Sequence, residues 1–146
     1  MDGQISATEY ADAVARFVMV AQQRTSGGAV AAQVLLSAYN GFDFQLDVAG
    51  MGSLDVANYQ DALAIIRGRY ETGREPHTLI PDGDRIFRGL WDRWFHLHVR
   101  ERGKESCSDC DGRGVTFVNP LAEEDNRSST CTRCRGKGWI CACERS

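Results

Sequence analysis

The stretch Cys107-Ser-Asp-Cys110-Asp-Gly112-Arg-Gly114 decides the fold of the C-terminal part of the chain, together with a second copy, Cys131-Thr-Arg-Cys134-Arg-Gly136-Lys-Gly138. Each copy is a Cys-x-x-Cys pair followed by glycine at the second and fourth positions. Two thiolate pairs on two tight turns can close a tetrahedral shell around one Zn²⁺. The sequence therefore predicts a closed, structural zinc site formed by Cys107, Cys110, Cys131 and Cys134.

The four glycines support the metal hypothesis. A chain that turns back so that its N–H groups point at the sulfurs needs backbone freedom without a Cβ. Cys141 and Cys143 follow the second copy, and their role stays open. One of them could replace a zinc ligand, or both could join His96 and His98 in a second metal site. Because free cysteines and surface histidines are common, we expect one zinc ion.

Residues 103–146 are predicted to form a β-hairpin that the zinc ion holds together. Val115 and Phe117 belong to the outgoing strand, and Gly138–Cys143 forms the returning strand. Asn119–Thr130 is polar and acidic and contains proline, so it predicts a loop. Gly103–Ser106 marks the boundary with the preceding domain.

Residues 5–102 predict a compact domain of four helices, so the fold class is mostly α. The predicted helices run from Ser6 or Thr8 to about Arg24, over Ala29–Tyr39 after a turn at Thr25–Gly28, from Asp55 to about Glu71, and from Asp82 or Asp84 to about Arg102. Their predicted apolar stripes are Val14, Phe17, Val18 and Ala21 in the first, Val56, Tyr59, Leu63, Ile66 and Tyr70 in the third, and Ile86, Phe87, Leu90, Trp91, Trp94 and Phe95 in the fourth.

Two connecting segments complete this domain. Phe42, Phe44, Leu46 and Val48 alternate with polar residues, which predicts a short strand. Gly73–Gly83 contains Pro76 and Pro81 and is predicted to be a connector.

Composition limits the function classes. The chain has 146 residues, a formal net charge of −3 and 42% apolar residues, as expected of a soluble globular protein. No stretch reaches the roughly 20 apolar residues of a membrane span, and the first residues do not resemble a secretory signal. We therefore expect a cytoplasmic protein in a reducing compartment, where paired cysteines bind metals before they form disulfides.

The basic residues of the cysteine turns are candidate nucleic-acid contacts. Arg133, Arg135 and Lys137 alternate along the second turn, and Arg113 lies on the first. These cations could contact phosphates. The alternative is a solvated rim, since Asp109 and Asp111 partly cancel the charge.

Glu75, His77 and Asp82 share the connector and raise the hypothesis of catalysis. No nucleophile pattern and no open metal motif accompanies them. The sequence therefore favours a polar loop and a protein without enzymatic activity.

Three resemblances bear on the origin of the chain. The Cys-x-x-Cys-x-Gly-x-Gly units resemble half of the cysteine-rich domain of Hsp40 co-chaperones, although no His-Pro-Asp motif is present. Residues 105–140 resemble in layout the zinc hairpin of lambda-type phage antitermination protein Q, which implies the same four cysteine ligands. Residues 15–95 resemble an uncharacterised family of phage- and plasmid-borne proteins, through Gly27–Gly41, Leu54-Asp55 and Phe87-x-x-Leu90-Trp91-x-x-Trp94.

These observations predict a non-enzymatic regulatory protein of a bacteriophage or mobile element that acts in the cytoplasm of its bacterial host. Its expected partner is DNA, RNA, or a host protein or nucleoprotein complex such as the transcription machinery, and not a membrane. A protein-only binder that inhibits a host defence complex, in the manner of anti-CRISPR proteins, is the alternative. A homodimer is expected if Trp91, Trp94 and Trp139 leave an exposed aromatic patch.

Overall fold

The N-terminal part of the chain is built from helices and the C-terminal part from short strands. The computed structural model describes residues 3–117 and 128–141, and the chain divides into two compact units between Glu101 and Arg102. The described α-helices are α1 (Ala7–Ala21), α2 (Ser26–Tyr39), α3 (Val56–Thr72) and α4 (Gly83–Arg93). Short 3₁₀ helices cover Ala49–Ser53, Pro76–Leu79 and Phe95–Leu97. The protein is mostly α-helical, as predicted.

Side-chain caps begin the first three helices. Ser6 Oγ accepts a hydrogen bond from the Glu9 N–H at 3.0 Å, and Asp55 Oδ1 accepts one from the Asn58 N–H at 2.8 Å. Each cap satisfies a donor that has no partner inside its helix. Both predicted caps are confirmed, whereas the predicted start of α2 is wrong. Thr25 caps α2, which begins at Ser26 rather than at Ala29.

The core of the helical unit surrounds α2. This helix is apolar on most of its surface, and its central residues from Val30 to Leu36 are buried. α1 packs against both α2 and α3 through its predicted stripe, all four residues of which are buried. The indole N–H of Trp94 donates to the Ala21 carbonyl oxygen at 2.7 Å and ties the end of α4 to the end of α1. Among residues 3–117 and 128–141, no helix has the length and apolarity needed to cross a bilayer.

The predicted inward stripe of α3 is wrong. Val56 and Tyr70 are 77% and 89% exposed, and the buried positions are Ala62, Ile65 and Gly68. A Cβ built on Gly68 would overlap the Tyr10 ring. The orientation of α3 is therefore set by Gly68, because close approach to the large Tyr10 ring requires a position without a side chain.

Two further predictions about the helical unit are wrong, and a third is wrong at one residue. Residues 42–48 form turns and irregular backbone rather than a strand, and only Phe44 of the four alternating side chains is buried. α1 and α4 end at Ala21 and Arg93, earlier than expected, and Phe95–Leu97 continues as a 3₁₀ helix. The predicted stripe of α4 is confirmed at Phe87, Leu90 and Trp94, which are buried, and at Ile86 and Trp91, which pack against the core, but not at Phe95, which is 46% exposed. The burial of Trp94 also removes it from the expected exposed aromatic patch.

The C-terminal unit contains two small antiparallel sheets. Its described strands are β1 (Lys104–Ser106), β2 (Val115–Phe117), β3 (Ser128–Thr130) and β4 (Trp139–Cys141). β1 pairs with β4, and β2 pairs with β3. The strand at Val115–Phe117 is confirmed, but it does not pair with the returning strand. Lys104–Ser106 was expected to be a boundary and Ser128–Thr130 to be loop; each instead supplies a pairing strand.

We predict that Gly68→Ala destabilises the helical unit by about 1–3 kcal/mol, because the added methyl group meets the Tyr10 ring. Gly89→Ala is the matched control, since it lies in α4 with nothing within 4 Å of its ideal Cβ. We expect it to be neutral or to stabilise the protein by roughly 0.5–1 kcal/mol. Urea unfolding followed by circular dichroism measures both. Equal stability of Gly68→Ala and the wild type would contradict the assigned packing of α1 on α3.

Candidate metal centre and basic surface

The four predicted ligands come together in the C-terminal unit. Cys107, Cys110, Cys131 and Cys134 are buried, and their Sγ atoms all lie within 4.8 Å of one another. The Cys107 and Cys131 sulfurs are 3.9 Å apart, and the Cys110 and Cys134 sulfurs are 3.7 Å apart. Such a group of sulfurs can hold a metal ion. It is the only His, Cys, Asp or Glu cluster with metal-binding spacing in the described part of the chain.

The two cysteine turns have the same backbone construction. In the first, the Gly112 N–H donates to the Cys107 carbonyl oxygen at 3.0 Å, and the Gly114 N–H donates to Cys110 Sγ at 3.2 Å. The second turn repeats both bonds twenty-four residues later, from Gly136 to the Cys131 carbonyl and from Gly138 to Cys134 Sγ at 3.2 Å. N–H groups aimed at sulfur stabilise the thiolate form, which is the form that binds metals.

Glycine backbone forms the contact between the turns. A Cβ on Gly114 would overlap the carbonyl oxygen of Gly136, and a Cβ on Gly138 would overlap that of Gly112. All four glycines have φ between 78° and 83°, in the left-handed region that favours glycine. The cysteines are also tied across the contact, since the Cys107 N–H donates to the Gly138 carbonyl and the Cys131 N–H donates to the Gly114 carbonyl.

The thiols of the group do not ionise alike. Burial raises the pKa of the Cys107 thiol to about 11. Burial also opposes ionisation of Cys134, but hydrogen bonds from the Gly138 N–H and from neighbouring thiols lower its pKa to about 7. Four crowded thiols cannot all carry negative charge without a counter-charge. A cation held by the four sulfurs would supply that charge.

The basic candidates differ in their contacts. Arg113 donates to the Cys110 carbonyl and pairs with Asp111 at 3.3 Å, and Arg133 pairs with Asp109 of the other turn at 3.3 Å. No hydrogen bond or ion pair to another described residue engages Arg135. The Lys137 ammonium lies 5.0 Å from the centre of the Trp139 ring. The first two residues therefore brace the turns, whereas Arg135 and Lys137 present their charge outward.

Lys104 and Trp139 extend this surface, and the sequence reasoning did not include them. The Lys104 ammonium lies 4.5 Å from the centre of the Trp139 ring. β1 pairs Ser106 with Trp139, so Lys104 sits two residues along the strand on the same face. A shallow cavity of about 510 Å³ opens on this surface, and its lining includes Arg133, Arg135, Lys137 and Trp139. The position of Lys104 three residues before Cys107 could have indicated that it belongs to the same basic surface.

The second metal site is not formed by the residues that the structure describes. Cys141 is disulfide-bonded and stands outside the cluster of four sulfurs, and Cys143 lies outside the described residues. His98 is buried, with its Nε2 atom 3.2 Å from Asp43 and its Nδ1 atom accepting from the Arg100 N–H. His96 lies against the ring of Trp94. These two histidines serve the packing of the helical unit.

The catalytic hypothesis is only partly matched by the structure. Glu75 and His77 line one cleft, and their side chains approach to 3.5 Å. Asp82 instead pairs with Arg85 at 3.3 Å on the exposed start of α4. The three residues therefore do not act as one group.

The helical unit places the chain in a family. The sequence profile of a family described as "Family of unknown function (DUF7673)" matches residues 11–95. The chain belongs to this family. No curated protein and no solved structure matches the chain. The match ends before Cys107, so the matched residues belong to the helical unit and the cysteine turns lie outside them.

We predict that Gly138→Ala weakens metal binding by about 10–100-fold, because it moves the N–H that bonds Cys134 Sγ and forces backbone against Gly112. Gly103→Ala is the matched control. Gly103 also has a left-handed φ of 77°, but nothing lies within 4 Å of its ideal Cβ. Competition with a chromophoric zinc chelator measures both affinities. Equal losses in the two variants would show that backbone strain alone, and not the contact between turns, sets the affinity.

Proposed function

We propose that the protein binds one structural zinc ion and uses the metal-held second cysteine turn to bind nucleic acid. The observation that carries the zinc assignment is the spacing of the four sulfurs. With Zn–S bonds of about 2.3 Å, the edge of a tetrahedron of sulfurs is about 3.8 Å. The two measured separations are 3.7 and 3.9 Å. Four thiolates leave no open coordination position, so the ion holds the turns in place and does not take part in catalysis.

The charge difference between the two turns supports the nucleic-acid target. Their backbones match, but residues 107–114 contain two aspartates and one arginine, whereas residues 131–138 contain three basic residues and no acidic one. The outward-facing cations Arg135 and Lys137 lie beside Trp139. A phosphate backbone is attracted by such cations, and an adjacent aromatic ring can stack on an unpaired base. A single-stranded segment fits this combination better than a duplex.

This proposal includes a regulatory, non-enzymatic role for a protein of a phage or mobile element in a bacterial host. The closed metal site supports that role, since a closed site offers no position to a substrate. The basic surface is small, since it covers only part of the second turn, β4 and its pairing strand β1. A surface of this size is compatible with contact to a nucleic acid alone or within a host transcription complex.

A double variant that combines Arg135→Ala and Lys137→Ala tests the nucleic-acid proposal. We expect at least about tenfold weaker binding, with the slope of log affinity against log salt reduced by about 2, because two phosphate contacts are removed. Fluorescence anisotropy with labelled 20-nucleotide single-stranded RNA, single-stranded DNA and duplex DNA measures both quantities.

The pair Arg88→Ala with Arg93→Ala is the control, since it removes the same charge from the helical unit. Zinc content measured for every variant shows that the site is intact. Wild-type-like affinity of the Arg135/Lys137 variant, or a loss in the control pair of the same size, would contradict the assigned surface.

A second candidate is a protein-only binder, and an apolar groove on the helical unit favours it. Leu46, Met51, Tyr59, Leu63 and Ile66 line a groove of about 530 Å³, and Val48 at its edge is largely exposed. Exposed apolar surface of this kind is typical of protein docking sites. A gel shift at low salt separates the two candidates. No shift with any RNA or DNA would favour this second function, which includes inhibition of a host defence complex.

A further inference from the structure

A cleft of about 670 Å³ opens in the helical unit where α2 and α3 both end. Its volume falls in the range of small-ligand sites. The lining combines three aromatic residues, Tyr39, Phe42 and Trp91, with the polar side chains of Arg69, Glu75 and His77. All six belong to residues 11–95, the span that matches the family profile.

Two of the aromatic side chains are held in place and the third is presented at the rim. The Tyr39 ring packs against the His77 ring, with 4.9 Å between the ring centres, and the Trp91 ring packs against the Phe44 ring, with 4.7 Å between the centres. Phe42 is 93% exposed, on a turn in which its N–H donates to Asn40 Oδ1 at 3.0 Å. The Phe42 ring is therefore accessible at the rim of the cleft, where it can contact a group that enters between Tyr39 and Trp91.

The charges at the cleft favour a cation. The Glu75 carboxylate is half-exposed, and the carbonyl ends of α2 and α3 add partial negative charge. Arg69 opposes them, but its Nε donates to the Ala38 carbonyl at 3.0 Å and its Nη1 to the Gly73 carbonyl at 2.9 Å. The Arg69 guanidinium is thus engaged by backbone carbonyls at the two helix ends. The Glu75 carboxylate lies 3.5 Å from His77 Nδ1, and about half of its side chain is still exposed and can act as a counter-charge for a ligand.

We propose that this cleft binds an alkylated ammonium group among Tyr39, Phe42 and Trp91, with Glu75 as the counter-charge. Aromatic faces attract cations, and alkylated ammonium ions are weakly hydrated and fit aromatic surroundings. Choline and a methylated lysine side chain both carry this chemistry. The assignment is independent of the cysteine turns, so its success or failure does not depend on nucleic-acid binding.

The test is an NMR titration of the full chain with choline and with 3,3-dimethylbutan-1-ol, in which carbon replaces the charged nitrogen. We expect choline to cause saturable shifts at the cleft residues and to bind at least about tenfold more tightly than the alcohol. Nα-acetyl-trimethyllysine amide, titrated in parallel, distinguishes a free ligand from a peptide-borne one. Tighter binding of this amide than of choline identifies a modified protein as the source, and the reverse order identifies a small molecule.

Two variants connect the binding to the assigned residues. Phe42→Ala and Glu75→Gln should each weaken choline binding at least about fivefold. Tyr70→Ala removes an 89% exposed aromatic ring that does not line the cleft, and it should change nothing. Equal binding of choline and the alcohol, tighter saturation of the same signals by inorganic phosphate, or no saturable shift with choline and the amide would each overturn the proposal.

Discussion

The contact between two glycine-rich turns determines the structure of the C-terminal unit. Gly114 and Gly138 bring backbone directly against backbone, and no side chain separates the two cysteine pairs. Because the turns are so close, the four Sγ atoms all lie within 4.8 Å of one another. At this distance, thiolates repel each other unless a cation lies between them. The described strands are only three residues long and bury little apolar surface, so under the proposed function a metal ion bound by the four sulfurs supplies much of the unit's stability.

The two cysteine turns have matching backbone hydrogen bonds but carry side chains of opposite net charge. The first turn uses its aspartates to engage Arg113 and Arg133, and the second keeps Arg135 and Lys137 available beside Trp139. The helical unit has its own core around α2, and it alone carries the family match. The cleft and the apolar groove of that unit lie within the matched residues 11–95, whereas the basic surface lies outside them.

Much of the structure could be predicted from local chemistry. The cysteine and glycine spacing predicts the cluster of four sulfurs, and Ser6 and Asp55 predict the starts of two helices, because these features depend on residues close together in the chain. The face of α3 could not be predicted this way. The most apolar stripe of α3 is exposed to solvent. The contact between Gly68 and Tyr10 joins residues far apart in the sequence, so the spacing of apolar residues along α3 does not reveal it. Lys104–Ser106 escaped prediction for the same reason, since its strand exists only through pairing with residues 139–141.

Zinc K-edge X-ray absorption on the freshly purified full chain would show directly whether the four cysteines hold a zinc ion. We expect one zinc ion per chain with a single shell of four sulfur atoms at about 2.3 Å. A first shell that contains nitrogen or oxygen, or a protein that folds its C-terminal unit with no stoichiometric zinc, would contradict this expectation.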